Sequence, residues 1–287
     1  SVTDVSIFRD AYAPLLRGAH FLPSPDERLA QAGESTEAPA QRSLQALSDL
    51  LEARAHEISA VVVEPLVQCA SGMAMHGPAF LREVRRLCDT HRVHLIADEI
   101  AVGCGRTGSF FACEQAGIWP DFVCLSKGIS GGYLPLSLVM TRDEIYQSFY
   151  DPAFTRGFLH SHSYTGNPLA CRAALATLSI FDAQPVFERN RQLSARLWAG
   201  LAPLQAHPRI RHLRQRGMIT AFDVQFDDAA QASGFSRRFF TEALQHELLL
   251  RPIGQTVYFM PPYVLSDEEA DWLTSRTIDV LHRVLAS

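Results

Sequence analysis

Two residues of this sequence have the types and placement that chemistry needs. Asp98 closes the run "VHLIAD" and Lys127 closes the run "DFVCLSK". Both runs are apolar and rich in β-branched residues, as buried strands are. In an open α/β sheet, ligands bind beyond the carboxyl ends of the strands, so both side chains are expected in one crevice. Singly, each is weak evidence: an aspartate at a strand end is often a cap or an ion-pair partner, and a lysine in a crevice is often a phosphate or carboxylate contact. Together they suit a pyridoxal cofactor. Such a cofactor needs a lysine to form a Schiff base with its aldehyde and an acid to keep its ring nitrogen protonated. A freed lysine amine with a lowered pKa can then shuttle the substrate proton.

The flanking residues add detail. "DEIAVGCGRTG" carries three glycines in quick succession, which predicts tight or unusual backbone turns. Arg106 in that loop is expected to pair with a carboxylate, Glu99 being one candidate; a loop framing an active site and a purely structural turn both stay open. "SKGISGGYLPLS" places Gly128, Gly131 and Gly132 beside Lys127, leaving room for a cofactor. Glu64 in "VEPLVQ" reads as a buried structural carboxylate in preference to an active-site gate.

Elements that could position these groups follow from periodicity. Residues 41–56 put Leu44, Leu47, Leu50 and Leu51 on one helical face. "ISAVVVEPL" fits a strand buried on both faces, and "GPAFLREVRRLCDTHR" a helix with Pro78 in its first turn. "VHLIADEI", "DFVCLSKGI" and "LSLVMT" read as further strands, "SFFACEQAGI" as a short helix stopped near Gly117, and "RDEIYQSFY" as another helix. Strands alternating with helices predict a mostly parallel sheet with helices on its faces. The segment before residue 27 is apolar but broken by Pro14, Pro23 and Pro25. "TGNPLACRAALATLSIF" reads as a long helix, after which the character changes. Helices are expected over 189–204, 236–246 and 266–286, and strands at "MITAFDVQF" and "TVYFMP". The expected organisation is an α/β domain over residues 1–180, ending in the long helix, and a smaller α+β domain over 181–287.

Composition bounds the function classes. The 287 residues carry a net charge of −5, without a basic run or finger spacing, so nucleic acid is not an expected partner. Six cysteines without CxxC pairing read as free thiols in a reducing cytosol. No apolar run is long enough to span a bilayer and no signal peptide is apparent, so a membrane is not expected either.

The run from Val61 to Tyr150, with "HSHSYTGNPLAC", "RQRGMI" and "RPIGQTVYFMPPY", resembles the class III aminotransferases, which are fold-type I pyridoxal-phosphate enzymes. The block from Asp98 to Lys127 is highly specific for that class. "GGYLPLS", "FACEQAG" and "MPPY" resemble its biotin-pathway branch. The resemblance implies pyridoxal 5'-phosphate as cofactor, small-molecule substrates, and a homodimer with active sites shared between subunits. It implies that Lys127 is the Schiff-base lysine and Asp98 the pyridinium partner. By the same resemblance Ser161 contacts substrate, His162 and Ser163 reach the cofactor phosphate of the neighbouring subunit, and Arg251 grips a substrate carboxylate. In the biotin branch the amino group passes from S-adenosylmethionine to 8-amino-7-oxononanoate; ω-amino acids or diamines with a keto acid are the alternative, and a non-catalytic binding relative is a third. Cys104 stands where the pattern "GFGRTG" has an aromatic residue. The family's ring-stacking tyrosine, Gly-Ser phosphate turn and substrate-side tryptophan have no counterparts here. They are expected upstream of Ser1, and without them the span is expected to be a poor transaminase.

Overall fold

The computed structural model describes residues 9–16 and 18–286; residues 1–8, the opening of the expected first domain, lie outside the described residues. Helix α1 (Ala38–Arg54) turns Leu47 and Leu51 inward, and α2 (Pro78–His91) begins on its proline and turns Phe80, Leu81, Val84, Leu87 and Cys88 toward the same core. Between them lie strand β1 (Ala60–Val63) and a short antiparallel ribbon of β2 (Val67–Gln68) and β3 (Ala74–Met75). Strands β4 (His94–Asp98), β5 (Phe122–Leu125) and β6 (Leu138–Thr141) complete a sheet of order β1-β4-β5-β6.

The pairings β1–β4 and β4–β5 are parallel, with Val63 beside Ala97 and Asp98 beside Cys124. The fourth strand, β6, runs antiparallel to β5. Its connection from β5 holds one 3₁₀ turn, Lys127–Ser130, and no crossover helix, and a parallel return would need a crossover. One expectation fails here: β1 is not buried on both faces. Val62 is 41% exposed, because β1 pairs only with β4 among the described residues and forms the sheet's edge. The short element at "SFFACEQAGI" is a 3₁₀ helix, Ala112–Ala116, stopped by Gly117 in the left-handed region.

Helices α3 (Asp143–Gln147) and α4 (Pro168–Ala183) follow, α4 starting on an Asn167 cap that accepts from Leu169 and Ala170 N–H. Then come α5 (Val186–Gly200) and a three-stranded antiparallel sheet of β7 (Ile210–Arg216), β8 (Ile219–Val224) and β9 (Thr256–Phe259). Helix α6 (Ala229–Gln245) joins β8 to β9, and α7 (Asp267–Ala286) ends the described chain. Central β8 is buried on both sides. Ile219 and Ala221 pack into the first core, whereas Phe222 and Val224 join Leu197, Phe235, Phe239 and Leu281 in a second. The period-2 alternation of a strand therefore ties two cores together. Strand β7 was not legible in "IRHLRQR", where basic residues hide the apolar alternation. No helix among the described residues is long and apolar enough to cross a membrane, and the six cysteines are free.

Candidate active site

Three acidic or basic groups meet at the carboxyl edge of the parallel strands. Glu64 follows the last residue of β1, Asp98 is the last of β4, and Lys127 lies two residues beyond β5. Their fields overlap. Burial raises the Glu64 carboxyl above its ordinary value and the charge of Asp98 raises it further, while the Cys69 N–H and Lys127 pull it down. The Cys69 thiol is pushed up to about 12, by burial first and then by Glu64. The Cys69 N–H donates to Glu64 Oε2 at 3.1 Å, which closes the loop from β1 to β2 over this edge. The half-buried, loop-closing carboxylate agrees with the structural reading of Glu64, and it follows "AVVV" as Asp98 follows "LIA".

Lys127 is exposed and sits at φ +46, a region that costs a non-glycine residue about 1–2 kcal/mol. Neighbours hold it there. Ser126 Oγ donates to the Leu136 carbonyl and Ser130 Oγ to the Leu134 carbonyl, each at 2.7 Å, while Ile129 is buried against Cys104 and Ala174. Strain of this kind, held by surrounding contacts, clusters at functional sites, though helix ends such as Arg92 share it. Gly128 is needed because Cys104 fills the space: a Cβ there would lie 3.0 Å from the Cys104 Cβ. Lys127 is also the only lysine in the 287-residue sequence, the other 25 of its 26 basic residues (26 − 1) being arginine. Asp98 Oδ1 accepts from the Ile100 N–H at 3.1 Å, and its second oxygen has no hydrogen-bond partner among the described residues.

The loop after β4 differs from expectation. Arg106 does not pair with Glu99. The buried Glu99 carboxylate instead accepts from the Ala112 and Cys113 N–H groups at 2.7 and 2.8 Å, and burial raises its pKa against the pull of those bonds. Arg106 reaches the other way, donating to the Pro261 carbonyl at 2.6 Å with its guanidinium 4.5 Å from the centre of the Tyr263 ring. The Tyr263 hydroxyl donates to the Cys104 carbonyl at 2.8 Å. Met218 N–H donates to the Arg106 carbonyl, and Gly217 lies so close that a Cβ would sit 2.4 Å from the Thr107 carbonyl carbon. Gly217 also has φ +55. Gly217→Ala is therefore expected to destabilise the protein by about 2 kcal/mol or more, the sum of left-handed strain and a backbone clash. Chemical denaturation measures this; a loss under about 0.5 kcal/mol would mean the loop is free to move away.

No hydrogen bond or ion pair among the described residues links the remaining expected site residues to this cluster. Ser161, His162 and Ser163 are exposed in a turn where His162 N–H donates to Thr165 Oγ1 at 3.0 Å and His162 Nδ1 accepts from the Tyr164 N–H at 3.1 Å. Arg251 is exposed between α6 and β9 and makes no ion pair among the described residues.

The residue set fits pyridoxal phosphate: an accessible primary amine in a held turn, and at the end of the adjacent strand a carboxylate with one oxygen uncommitted among the described residues. The model of the class-III aminotransferases matches residues 1–281. Similar proteins include the adenosylmethionine-8-amino-7-oxononanoate aminotransferases of Helicobacter pylori, 43% identical over 98% of this chain and 63% of that protein, and of Nitratidesulfovibrio vulgaris, 38% identical over 95% of this chain and 52% of that protein. The chain thus spans less than two thirds of the length of these relatives. Among solved structures, the Methanocaldococcus jannaschii protein of that same name superposes with a TM-score of 0.85 at 28% identity, covering 97% of this chain and 63% of that one. An (S)-enantioselective omega-transaminase from Thermomicrobium roseum superposes with a TM-score of 0.90 at 27% identity, covering 99% and 64%.

Proposed function

Since the chain belongs to the class III aminotransferases, we propose that the protein it represents transfers an amino group with pyridoxal 5'-phosphate held at Lys127 and Asp98. The observation that carries this reading is the placement of those two residues at the carboxyl ends of adjacent parallel strands. When bound, the cofactor supplies an aldehyde that links to amines and a ring that accepts electrons. Lys127 would hold it covalently through Nζ and, once displaced by substrate, carry a proton on the same atom. Asp98, already oriented by the Ile100 N–H, would keep the ring nitrogen protonated through its uncommitted oxygen. His162 and Ser163 would donate to the phosphate in the neighbouring subunit's site, so that a homodimer completes both sites, and Ser161 would contact substrate. The six free cysteines suit a cytoplasmic setting. We place the boundary between a cofactor-binding domain and a small C-terminal domain at residues 180 and 181, near the end of α4.

The substrate pair favoured is S-adenosylmethionine as donor and 8-amino-7-oxononanoate as acceptor, giving 7,8-diaminononanoate in biotin biosynthesis. Support comes from the names of the relatives more than 35% identical. A second reading, an ω-amino acid or diamine with a keto acid, draws on the omega-transaminase superposition. Assays of the full-length protein with adenosylmethionine, lysine and alanine as donors separate the two. Turnover with alanine and none with adenosylmethionine would overturn the first reading.

Arg251 is the proposed grip on the acceptor's carboxylate. Arg251→Lys keeps the charge but loses the two-pronged geometry. The expected cost is about 1.5–3 kcal/mol in kcat/KM for the carboxylate acceptor, the size of a hydrogen bond to a charged group. The loss should be smaller for a donor bound elsewhere, and equal losses for both substrates would point to a structural role.

A further inference from the structure

Two arginines and an aspartate tie the C-terminal sheet to the loop that rims the site. Arg214 on β7 donates to the Gly72 carbonyl at 2.6 Å and the Met73 carbonyl at 2.9 Å, and both its terminal nitrogens reach Asp223 on β8, at 3.1 and 3.2 Å. Arg28 donates to the Ser71 carbonyl at 2.8 Å and meets Asp223 at 3.3 Å, and is itself held by Asp26. Thr256 Oγ1 donates to Asp223 at 2.7 Å. Three consecutive carbonyls are thus held by two guanidinium groups that share one carboxylate.

Both sides of the tie are specially shaped. On the loop side, Leu66, Gly72 and Met73 all have positive φ, and a Cβ on Gly72 would lie 2.8 Å from Thr256 Oγ1. Left-handed backbone at non-glycine residues persists only where contacts hold it. On the sheet side, the register of β7 against β8 shifts between Arg211 and Arg214, and His212 has φ +51. A bulge of this kind re-aims a side chain; here it is Arg214, whose Nη1 also donates to the His212 carbonyl at 2.6 Å. The same loop begins at Glu64 and contains Cys69, whose N–H holds the Glu64 carboxylate beside Asp98 and Lys127.

We propose that Arg214, Arg28 and Asp223 are positioning residues, which set the strained loop 64–73 and so place Glu64 at the rim of the active site. The inference rests on the reading of the Lys127–Asp98 cluster as that site. Lysine at position 214 can still pair with Asp223 but cannot hold the Gly72 and Met73 carbonyls at the same time.

The test uses the full-length, cofactor-loaded protein carrying Arg214→Lys or Asp223→Asn. Cys69 serves as reporter, read by thiol alkylation with iodoacetamide and peptide mass mapping. Loss of the tie is expected to speed Cys69 alkylation about tenfold, the scale of one lost charged hydrogen bond. Cys88 and Cys113, buried in the first core, should stay protected. For Arg214→Lys the melting temperature is expected to fall by no more than about 4 °C. Amino-transfer turnover per bound cofactor should fall by about tenfold as well. If Cys69 in both variants gains no more than Cys113, or if turnover per cofactor is unchanged, the proposal is overturned. A general loosening would expose all the cysteines together and would equally overturn it. Should the unsubstituted protein transfer no amino group at all, the site reading fails on its own, and the alkylation pattern still decides whether the tie holds the loop.

Discussion

Replacing Lys127 with alanine in the full-length protein is expected to remove nearly all turnover. The side chain is exposed and makes no hydrogen bond among the described residues, so stability should change by less than about 0.5 kcal/mol. The turn that carries it is pinned by the Ser126 and Ser130 hydroxyls and by buried Ile129, none of which the substitution touches. What would be lost on the proposed reading is the amine that holds the cofactor covalently and moves a proton at that position. Steady-state assays with saturating cofactor measure the effect. A variant that keeps normal turnover would show that Lys127 is no more than a crevice lysine.

Replacing Asp98 with asparagine is expected to spare cofactor binding but slow the donor half-reaction by about 10²–10³-fold, the scale of removing one preorganised charge-stabilising partner. The geometry makes this a clean change. The amide oxygen can still accept from the Ile100 N–H, so the turn after β4 is kept. The charge proposed to keep the ring nitrogen protonated is gone. Single-turnover measurement with donor alone isolates the step, and an unchanged rate would assign Asp98 to the cap that the Ile100 bond already makes.

Much of the candidate site was legible because its residues end apolar runs. Asp98 and Lys127 follow "LIA" and "FVCLS", and the parallel register brings those runs side by side. The helices were legible from leucine and alanine periodicity, and Pro78 and Gly117 marked a start and a stop. What escaped depends on partners distant in sequence. Arg106 suggested a carboxylate partner, with Glu99 one candidate, but it reaches a carbonyl 155 positions away, and Glu99 is satisfied by backbone N–H groups that no sequence pattern advertises. Strand β7 escaped because Arg214 serves the tie to loop 64–73 and, with Arg211 and Arg216, masks the alternation. The direction of β6 escaped because a strand pattern is the same in either orientation. The placement of Ser161–Ser163 and Arg251 against the cluster rests on the family resemblance alone.

The central claim, that Lys127 holds the cofactor, is tested most directly by trapping. The full-length protein is loaded with pyridoxal phosphate, reduced with borohydride, digested and mapped by mass. Arginine-specific digestion suits this span, where Lys127 is the only lysine and lies between Arg106 and Arg142. The cofactor mass is predicted on the peptide containing Lys127, stoichiometrically, with pre-incubation in amino donor preventing its capture. A reduced cofactor found on another residue of the protein, with the Lys127 peptide unmodified, would contradict the account.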